Sequence, residues 1–102
     1  MQLIYSEVAM LDMEQMWWEV FQASKDLETA DRYREDMKAH VRERAGNPIA
    51  GQRVIMDGEE TDYRFVVFKK YIAFYKVEDE TMKVVRVLYR GTDRMKRLFP
   101  MR

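Results

Sequence analysis

The 102-residue sequence contains no cysteine and only one histidine. Without cysteine the chain has neither a disulfide framework nor a thiolate nucleophile, and a single histidine cannot by itself build a zinc site. The sequence also lacks a run of about 18 apolar residues and a charged-then-apolar leader, so we expect neither a membrane span nor export. These absences predict a cytoplasmic protein that carries no metal or cofactor.

Proline and glycine are scarce as well, with two and four residues respectively, and the sequence shows no internal repeat and no long flexible linker. A chain of this length has room for one modest hydrophobic core. We therefore expect residues 1–102 to form a single domain.

The net charge is zero, yet the charges are unevenly distributed along the chain. Residues 1–51 hold ten acids and six bases, and residues 52–82 hold seven acids and five bases. Residues 83–102 reverse this balance, with seven bases and one acid. A basic segment of this kind favours an acidic partner, although an ordinary solvated strand and tail would have the same composition.

The first half of the sequence has the periodicity of two helices. Ser6 is a suitable N-cap, and apolar residues recur at spacings of three and four over residues 7–23. The same pattern returns over residues 27–45, after which Gly46 and Pro48 supply a stop. The sequence thus predicts an antiparallel helical hairpin, preceded by a short strand in MQLIYS at residues 1–6.

Beyond Pro48 the period changes to two, which is typical of strands. Three runs rich in β-branched and aromatic residues are separated by short polar segments, at residues 63–68, 71–77 and 82–90. RVIM at residues 53–56 is a weaker candidate strand. We therefore expect an α+β fold in which the helical hairpin packs on one face of a three- to four-stranded, mainly antiparallel sheet.

The turn lengths predict the register of these strands. A two-residue loop at Lys69 and Lys70, followed by a turn around residues 78–81, sets the opposing residues. The expected pairs are Phe68 with Tyr71, Arg64 with Tyr75, Val77 with Met82, Tyr75 with Val84, and Ala73 with Arg86.

This register divides the side chains between two sheet faces. The face that we expect under the helices carries Phe65, Val67, Ile72, Phe74, Val85 and Val87. The opposite face carries Arg64, Val66, Phe68, Tyr71, Ala73, Tyr75, Val77, Met82, Val84, Arg86, Leu88 and Arg90. The second set is too apolar to remain in water, so we expect a partner, or a second copy in a homodimer, to cover it.

Several motifs resemble the RelE/ParE superfamily of toxins from bacterial type II toxin–antitoxin modules. They are A-x-x-D-M-x-x-M-W from Ala9, A-x-x-Y from Ala30, P-x-x-G from Pro48, YRFVVFKKYIAFYKV from Tyr63 and VVRVLYRGTD from Val84. Within the strands, the family pattern is matched by Arg64, Tyr75, Arg86, Val87, Leu88 and Asp93. Tyr89 stands where a histidine is frequent, and Arg90 with Gly91 displaces the usual glycine by one position.

The resemblance implies a growth-arresting toxin that is neutralised by a cognate antitoxin. ParE-like members inhibit DNA gyrase without being enzymes, whereas RelE-like members are metal-independent mRNA endonucleases that act on the ribosome. The neutral net charge favours the ParE-like activity, since a phosphate-rich target selects for a basic protein. An inactive family member that only binds an antitoxin is a further alternative.

Two sets of candidate site residues follow. If the chain is a nuclease, cations would stabilise the reacting phosphate and a tyrosine would donate a proton, the candidates being Arg64, Arg86, Arg90, Tyr75 and Tyr89. The only histidine, His40, lies on the second predicted helix, so no general base is evident. The residues expected to bind an antitoxin, whose acidic groups would meet the arginines, are Arg64, Phe68, Tyr71, Tyr75, Arg86, Leu88, Arg90, Arg94 and Arg97.

Overall fold

Two helices lie against one face of a five-stranded mixed sheet in the computed structural model, which describes residues 1–90. In chain order the elements are β1 (Gln2–Tyr5), α1 (Glu7–Ser24), α2 (Leu27–Ala45), a 3-10 helix (Pro48–Ala50), β2 (Gln52–Met56), β3 (Glu59–Phe68), β4 (Tyr71–Glu78) and β5 (Thr81–Tyr89). None of the helices within this range has the length and apolar character that a membrane span requires.

The helices begin and end where the local sequence signals lie. The Ser6 side chain accepts a hydrogen bond from the backbone N–H of Ala9 at 3.0 Å, which confirms it as the N-cap of α1. Lys25 ends α1 in the left-handed conformation, with φ of 58°. α2 has its predicted bounds and stops at Gly46, two residues before Pro48. The predicted helical hairpin is therefore confirmed.

The five strands pair in the order β1–β5–β4–β3–β2, and only the β1–β5 pair is parallel. The α+β class and the N-terminal strand agree with the sequence prediction. The sheet is one strand wider than the largest predicted number because the weak candidate at residues 53–56 forms β2, which pairs with β3.

The predicted register is correct for most of the sheet. Phe68 opposes Tyr71, Arg64 opposes Tyr75, Tyr75 opposes Val84 and Val77 opposes Met82. The pairing of Ala73 with Arg86 is wrong, since Ala73 opposes Val87. The cause is a register shift between Phe74 and Tyr75, where Val85 is an extra residue on β5.

The helices cover the sheet face opposite to the one that we predicted. The helices cover the face of Val66, Tyr71, Ala73, Tyr75, Met82 and Val84, which pack with Ala9, Met13, Met16, Met37 and Val41. Because the extra residue at Val85 reverses the alternation beyond it, Val87 joins this core and Leu88 moves to the other face. The chain itself thus buries most of the surface that we expected a partner to cover.

The other sheet face has a second, smaller core, formed by Val54, Ile72, Phe74 and Leu88 with the half-buried side chains of Tyr63, Phe65 and Val85. β4 lies in the middle of the sheet and is buried on both faces over residues 71–75. Its nearly continuous apolar sequence, YIAFY, is what such a strand requires.

Candidate functional site

Tyr75 and Arg64, which oppose each other on β4 and β3, hold the segment that joins α2 to β2. The Tyr75 hydroxyl donates to the carbonyl oxygen of Pro48, and the Tyr75 side chain has no exposed surface. The Arg64 guanidinium donates to the carbonyl oxygens of Ile49 at 3.1 Å and Gly51 at 2.8 Å. Burial raises the pKa of Tyr75, although the nearby charges of Arg44 and Arg64 oppose this shift. Both predicted site residues thus have structural contacts.

The close packing at this segment yields a stability prediction for Gly51. A Cβ atom at Gly51 would lie 2.0 Å from the Tyr75 hydroxyl oxygen and 3.2 Å from the Phe65 carbonyl oxygen. Because its φ of −69° and ψ of 146° suit any residue, replacement by alanine acts through overpacking alone. We expect Gly51→Ala to lower the free energy of unfolding by roughly 1–3 kcal/mol, measured by urea denaturation.

Gly46→Ala is the matched control, since its added Cβ would lie 3.3 Å from the Glu43 carbonyl oxygen and its φ is −70°. This substitution should change the free energy of unfolding by less than about 1 kcal/mol. Equal effects at the two glycines would show that the Tyr75 contact does not constrain the segment.

Arg86 forms a mostly buried ion pair with Asp12 of α1. The Nε and Nη2 atoms of Arg86 donate to the Asp12 carboxylate at 2.8 and 3.2 Å. The same carboxylate accepts the backbone N–H of Val87 at 2.9 Å, just beyond the last β1–β5 pair at Tyr5 and Val84. Asp12 therefore continues the edge pairing of β5 where β1 has ended, and a two-arginine site on an open face is not formed.

Tyr89 and Arg90 are exposed at the end of β5, beside the β3–β4 turn. The Arg90 backbone N–H donates to the Lys70 carbonyl oxygen at 2.8 Å, and its guanidinium approaches the Lys69 carbonyl oxygen at 3.5 Å. Lys69 and Lys70 are exposed as well. Of the five candidate nuclease residues, only Tyr89 and Arg90 present exposed side chains, and they share this basic end with the two lysines.

An open groove of about 720 Å³ lies next to these residues, between the helical hairpin and the sheet. We call it the tyrosine groove, and its walls include Val20, Ala23, Tyr33, Tyr71 and Tyr89. Its lining also includes three exposed charged residues, Lys69, Lys70 and Glu19. The groove is mostly apolar, with charged groups at its margin, as is typical of binding sites.

Two contacts fix the polar groups of the tyrosine groove. The Tyr71 hydroxyl donates to a Glu19 carboxylate oxygen at 2.6 Å, and burial together with this carboxylate raises the pKa of Tyr71 well above its ordinary value. The Lys69 ammonium lies 4.9 Å from the centre of the Tyr33 ring and 5.2 Å from that of Phe68. The Tyr71 hydroxyl is therefore held by Glu19, and the Lys69 ammonium is held by the rings of Tyr33 and Phe68.

The remaining candidate residues are distributed differently. Phe68 is half-buried against the rings of Tyr33 and His40, and Leu88 is buried in the second core. His40 lies 3.0 Å from the Val67 carbonyl oxygen through its Nε2 atom. Arg94 and Arg97 lie outside the described residues. The antitoxin-binding role of all nine candidate residues stays a prediction.

Sequence reasoning missed Asp12 and Glu19, the two acids of α1 that contact the sheet. Asp12 lies three residues after the buried Ala9, and Glu19 lies three residues after the buried Met16. Because residues three apart share a helix face, helical periodicity could have placed both acids beside the core. Their partners on β4 and β5 were not, because the helices had been assigned to the wrong sheet face.

Comparisons with known proteins agree with this architecture. Residues 3–94 match the family model described as ParE toxin of type II toxin–antitoxin system, parDE. A comparison with the sequences of curated proteins gives no match.

Two solved structures illustrate the similarity of fold. One is a chain of the chromosomal ParDE toxin–antitoxin system from P. aeruginosa, with a TM-score of 0.73 and 14% identity over 87% of this chain and 95% of that one. The other is a chain of the toxin–antitoxin complex RelBE2 from Mycobacterium tuberculosis, with a TM-score of 0.55 and 14% identity over 89% of this chain and 92% of that one.

Proposed function

Because the chain belongs to the ParE toxin family of type II toxin–antitoxin systems, we propose that it arrests bacterial growth by inhibiting DNA gyrase. In this proposal a cognate antitoxin neutralises the chain, which acts in the cytoplasm as a binding protein and not as an enzyme. Family membership supports the toxin role. The choice of gyrase over the ribosome rests on the state of the candidate nuclease residues.

The observation that carries this choice is the engagement of three of those residues within the fold. The Tyr75 hydroxyl donates a hydrogen bond to the Pro48 carbonyl oxygen, and Arg86 donates to the Asp12 carboxylate. Arg64 donates to the carbonyl oxygens of Ile49 and Gly51. RNA cleavage through the 2′-hydroxyl needs a base, an acid and charge stabilisation converging on one phosphate. Tyr75 has no exposed surface and the Arg86 side chain is only 16% exposed, so these residues do not present the open site that such a phosphate requires.

The alternative, mRNA cleavage on the ribosome, has one observation in its favour. Lys69, Lys70, Arg90 and Tyr89 lie together at an exposed end of the sheet, where cations and an aromatic ring suit an RNA strand. The acid nearest to them in the tyrosine groove is Glu19, which is hydrogen-bonded to Tyr71. A free general base is therefore not provided by that carboxylate.

Expression in a bacterial host tests the proposal. We expect growth arrest that co-expression of the neighbouring gene relieves, together with loss of plasmid negative supercoiling before amino-acid incorporation falls. A fall in amino-acid incorporation with unchanged supercoiling would support the ribosomal alternative. Normal growth at confirmed expression of folded protein would support an inactive, antitoxin-binding family member.

A further inference from the structure

The side of α1 that lies opposite its buried stripe carries no charged residue along its centre. Its exposed residues recur at spacings of three and four, and they are Val8, Leu11, Gln15, Trp18 and Gln22. We call this surface the outer face of α1. Its three apolar side chains expose 47%, 64% and 47% of their surface, although surface helices normally place charged residues at such positions. A row of this kind is typical of a surface that binds another protein.

The side chain of Trp18 is held in place from within the fold. Its ring lies 5.9 Å from that of Phe21, which stacks on the ring of Trp17 at 5.5 Å. Trp17 is fixed in turn by α2, because its Nε1 atom donates to an Asp31 carboxylate oxygen at 2.8 Å. These contacts limit the conformational entropy that Trp18 would lose on binding, as suits a residue that anchors an interface.

The borders of the outer face are acidic. α1 contains four acidic residues and no basic one. Asp12 and Glu19 lie on the border next to the sheet, where both carboxylates accept hydrogen bonds from sheet side chains. Glu7 and Glu14 lie on the other border, and neither forms an ion pair with another of residues 1–90. The available negative charge therefore lies along one side of the apolar row.

These charges limit the kind of partner that the outer face can bind. A second copy of the chain would bring four acids from each α1 and no base, and three apolar side chains fall far short of the roughly 20–30 residues that each side of a stable interface contributes. Phosphates of a nucleic acid would be repelled. An antitoxin segment whose acidic groups are directed at arginines would be repelled as well. The outer face therefore suits a protein surface that is apolar and bordered by lysine or arginine.

We propose that the outer face of α1 is the surface through which the chain contacts DNA gyrase, at an apolar patch of the enzyme bordered by basic residues. An enzyme that holds DNA presents lysine and arginine to the phosphates, and such a surface complements α1 in charge. Leu11 and Trp18 enter the apolar patch, while Glu7 and Glu14 meet the basic residues. This inference rests on the proposed inhibition of gyrase and adds which face of the chain makes the contact.

Two double variants of the full chain test the outer face. Leu11→Asn with Trp18→Gln removes its two largest apolar side chains. Glu7→Lys with Glu14→Lys reverses the charge of its available acidic border. The melting temperature of each variant shows whether it is folded.

Each double variant has a matched control on another part of the surface. Ile49→Asn with Ile55→Thr removes two exposed apolar side chains at and before β2. Glu43→Lys with Glu59→Lys makes the same change in net charge at two exposed positions outside α1. These controls separate an effect of the outer face from a general effect of polarity or charge.

The assay measures the concentration of the chain that halves supercoiling of relaxed plasmid by purified DNA gyrase and ATP. We expect both outer-face variants to raise this concentration about tenfold or more, and the controls to raise it by less than about threefold. Binding of the unmodified chain to immobilised gyrase should weaken with salt more steeply than binding of the charge-reversed variant. Affinity for the purified protein encoded by the neighbouring gene should change by less than about threefold in all variants.

The possible failures are distinguishable. If both folded outer-face variants inhibit gyrase as well as the unmodified chain does, the outer face is not the contact, and the proposed inhibition of gyrase still stands. If the unmodified chain does not inhibit gyrase, the proposed function fails and this inference fails with it. If the variants lose the neighbouring gene's protein but still inhibit gyrase, the outer face belongs to the antitoxin. If they lose only a dimeric mass in solution, it joins two copies of the chain, and either result overturns the inference.

Discussion

Replacement of Phe74 by alanine should lower the free energy of unfolding by roughly 3–5 kcal/mol. Phe74 has no exposed surface and lies in the second core with Val54, Ile72 and Leu88, on the sheet face away from the helices. Its loss would leave a cavity at the centre of the sheet, next to the half-buried ring of Phe65, 6.3 Å from its own. Equilibrium urea unfolding measures the change.

Val67→Ala is the control for this prediction, because Val67 lies on the neighbouring strand and has 36% of its surface exposed. It should change the free energy of unfolding by about 0.5 kcal/mol or less. If Phe74→Ala unfolds at the same urea concentration as the unmodified chain, the second core does not contribute to stability as the structure requires.

The second large effect is expected at Asp12, whose replacement by alanine should cost roughly 3 kcal/mol of unfolding free energy. The substitution leaves the Arg86 side chain, which is only 16% exposed, without this carboxylate. It also removes the acceptor of the Val87 backbone N–H. Thermal and urea unfolding should both detect the loss.

Three further variants make the Asp12 prediction specific. Asp12→Asn retains an oxygen for the Val87 N–H and should lose less stability than Asp12→Ala. Arg86→Ala combined with Asp12→Ala should cost less than the sum of the single variants, because the two side chains form one interaction. Glu14→Ala, at an exposed position on the same helix, should have little effect. Additive losses at Asp12 and Arg86 would contradict the pairing.

The roles of the arginines show what the sequence could not reveal. Arg64 and Arg86 were expected on the sheet face opposite the helices, among residues that a partner would cover. Arg86 instead contacts Asp12 of α1. The extra residue Val85 on β5 also changes its strand pairing, so that Arg86 opposes Phe74 and not Ala73. A single extra residue reverses the side-chain alternation of the strand beyond it, and no turn sequence near Val85 predicts this one.

The choice of sheet face failed for a related reason. Alternation divides a strand into two sets of residues, but it identifies the core-facing set only when the other set is polar. β4 is apolar on both sides because the helices cover one face and the second core covers the other. The bounds of α2 and the β3–β4 register, which depend on local caps and turns, were correctly predicted from the same sequence.

The candidate site was predictable only in part. Lys69 and Lys70 form the predicted two-residue turn between β3 and β4, and Arg90, at the end of the predicted strand over residues 82–90, contacts that turn. The tyrosine groove requires Glu19 and Tyr33 from the two helices. Their position above β4 follows from how the hairpin packs on the sheet, which local patterns do not specify.

The central claim, a gyrase-directed toxin, is tested most directly by adding the purified chain to DNA gyrase, ATP and relaxed plasmid. The account predicts that negative supercoiling declines as the concentration of the chain rises, and that prior mixing with the neighbouring gene's protein restores it. Full supercoiling at a concentration of the chain that stops a reconstituted translation reaction would contradict the account and identify the ribosome as the target.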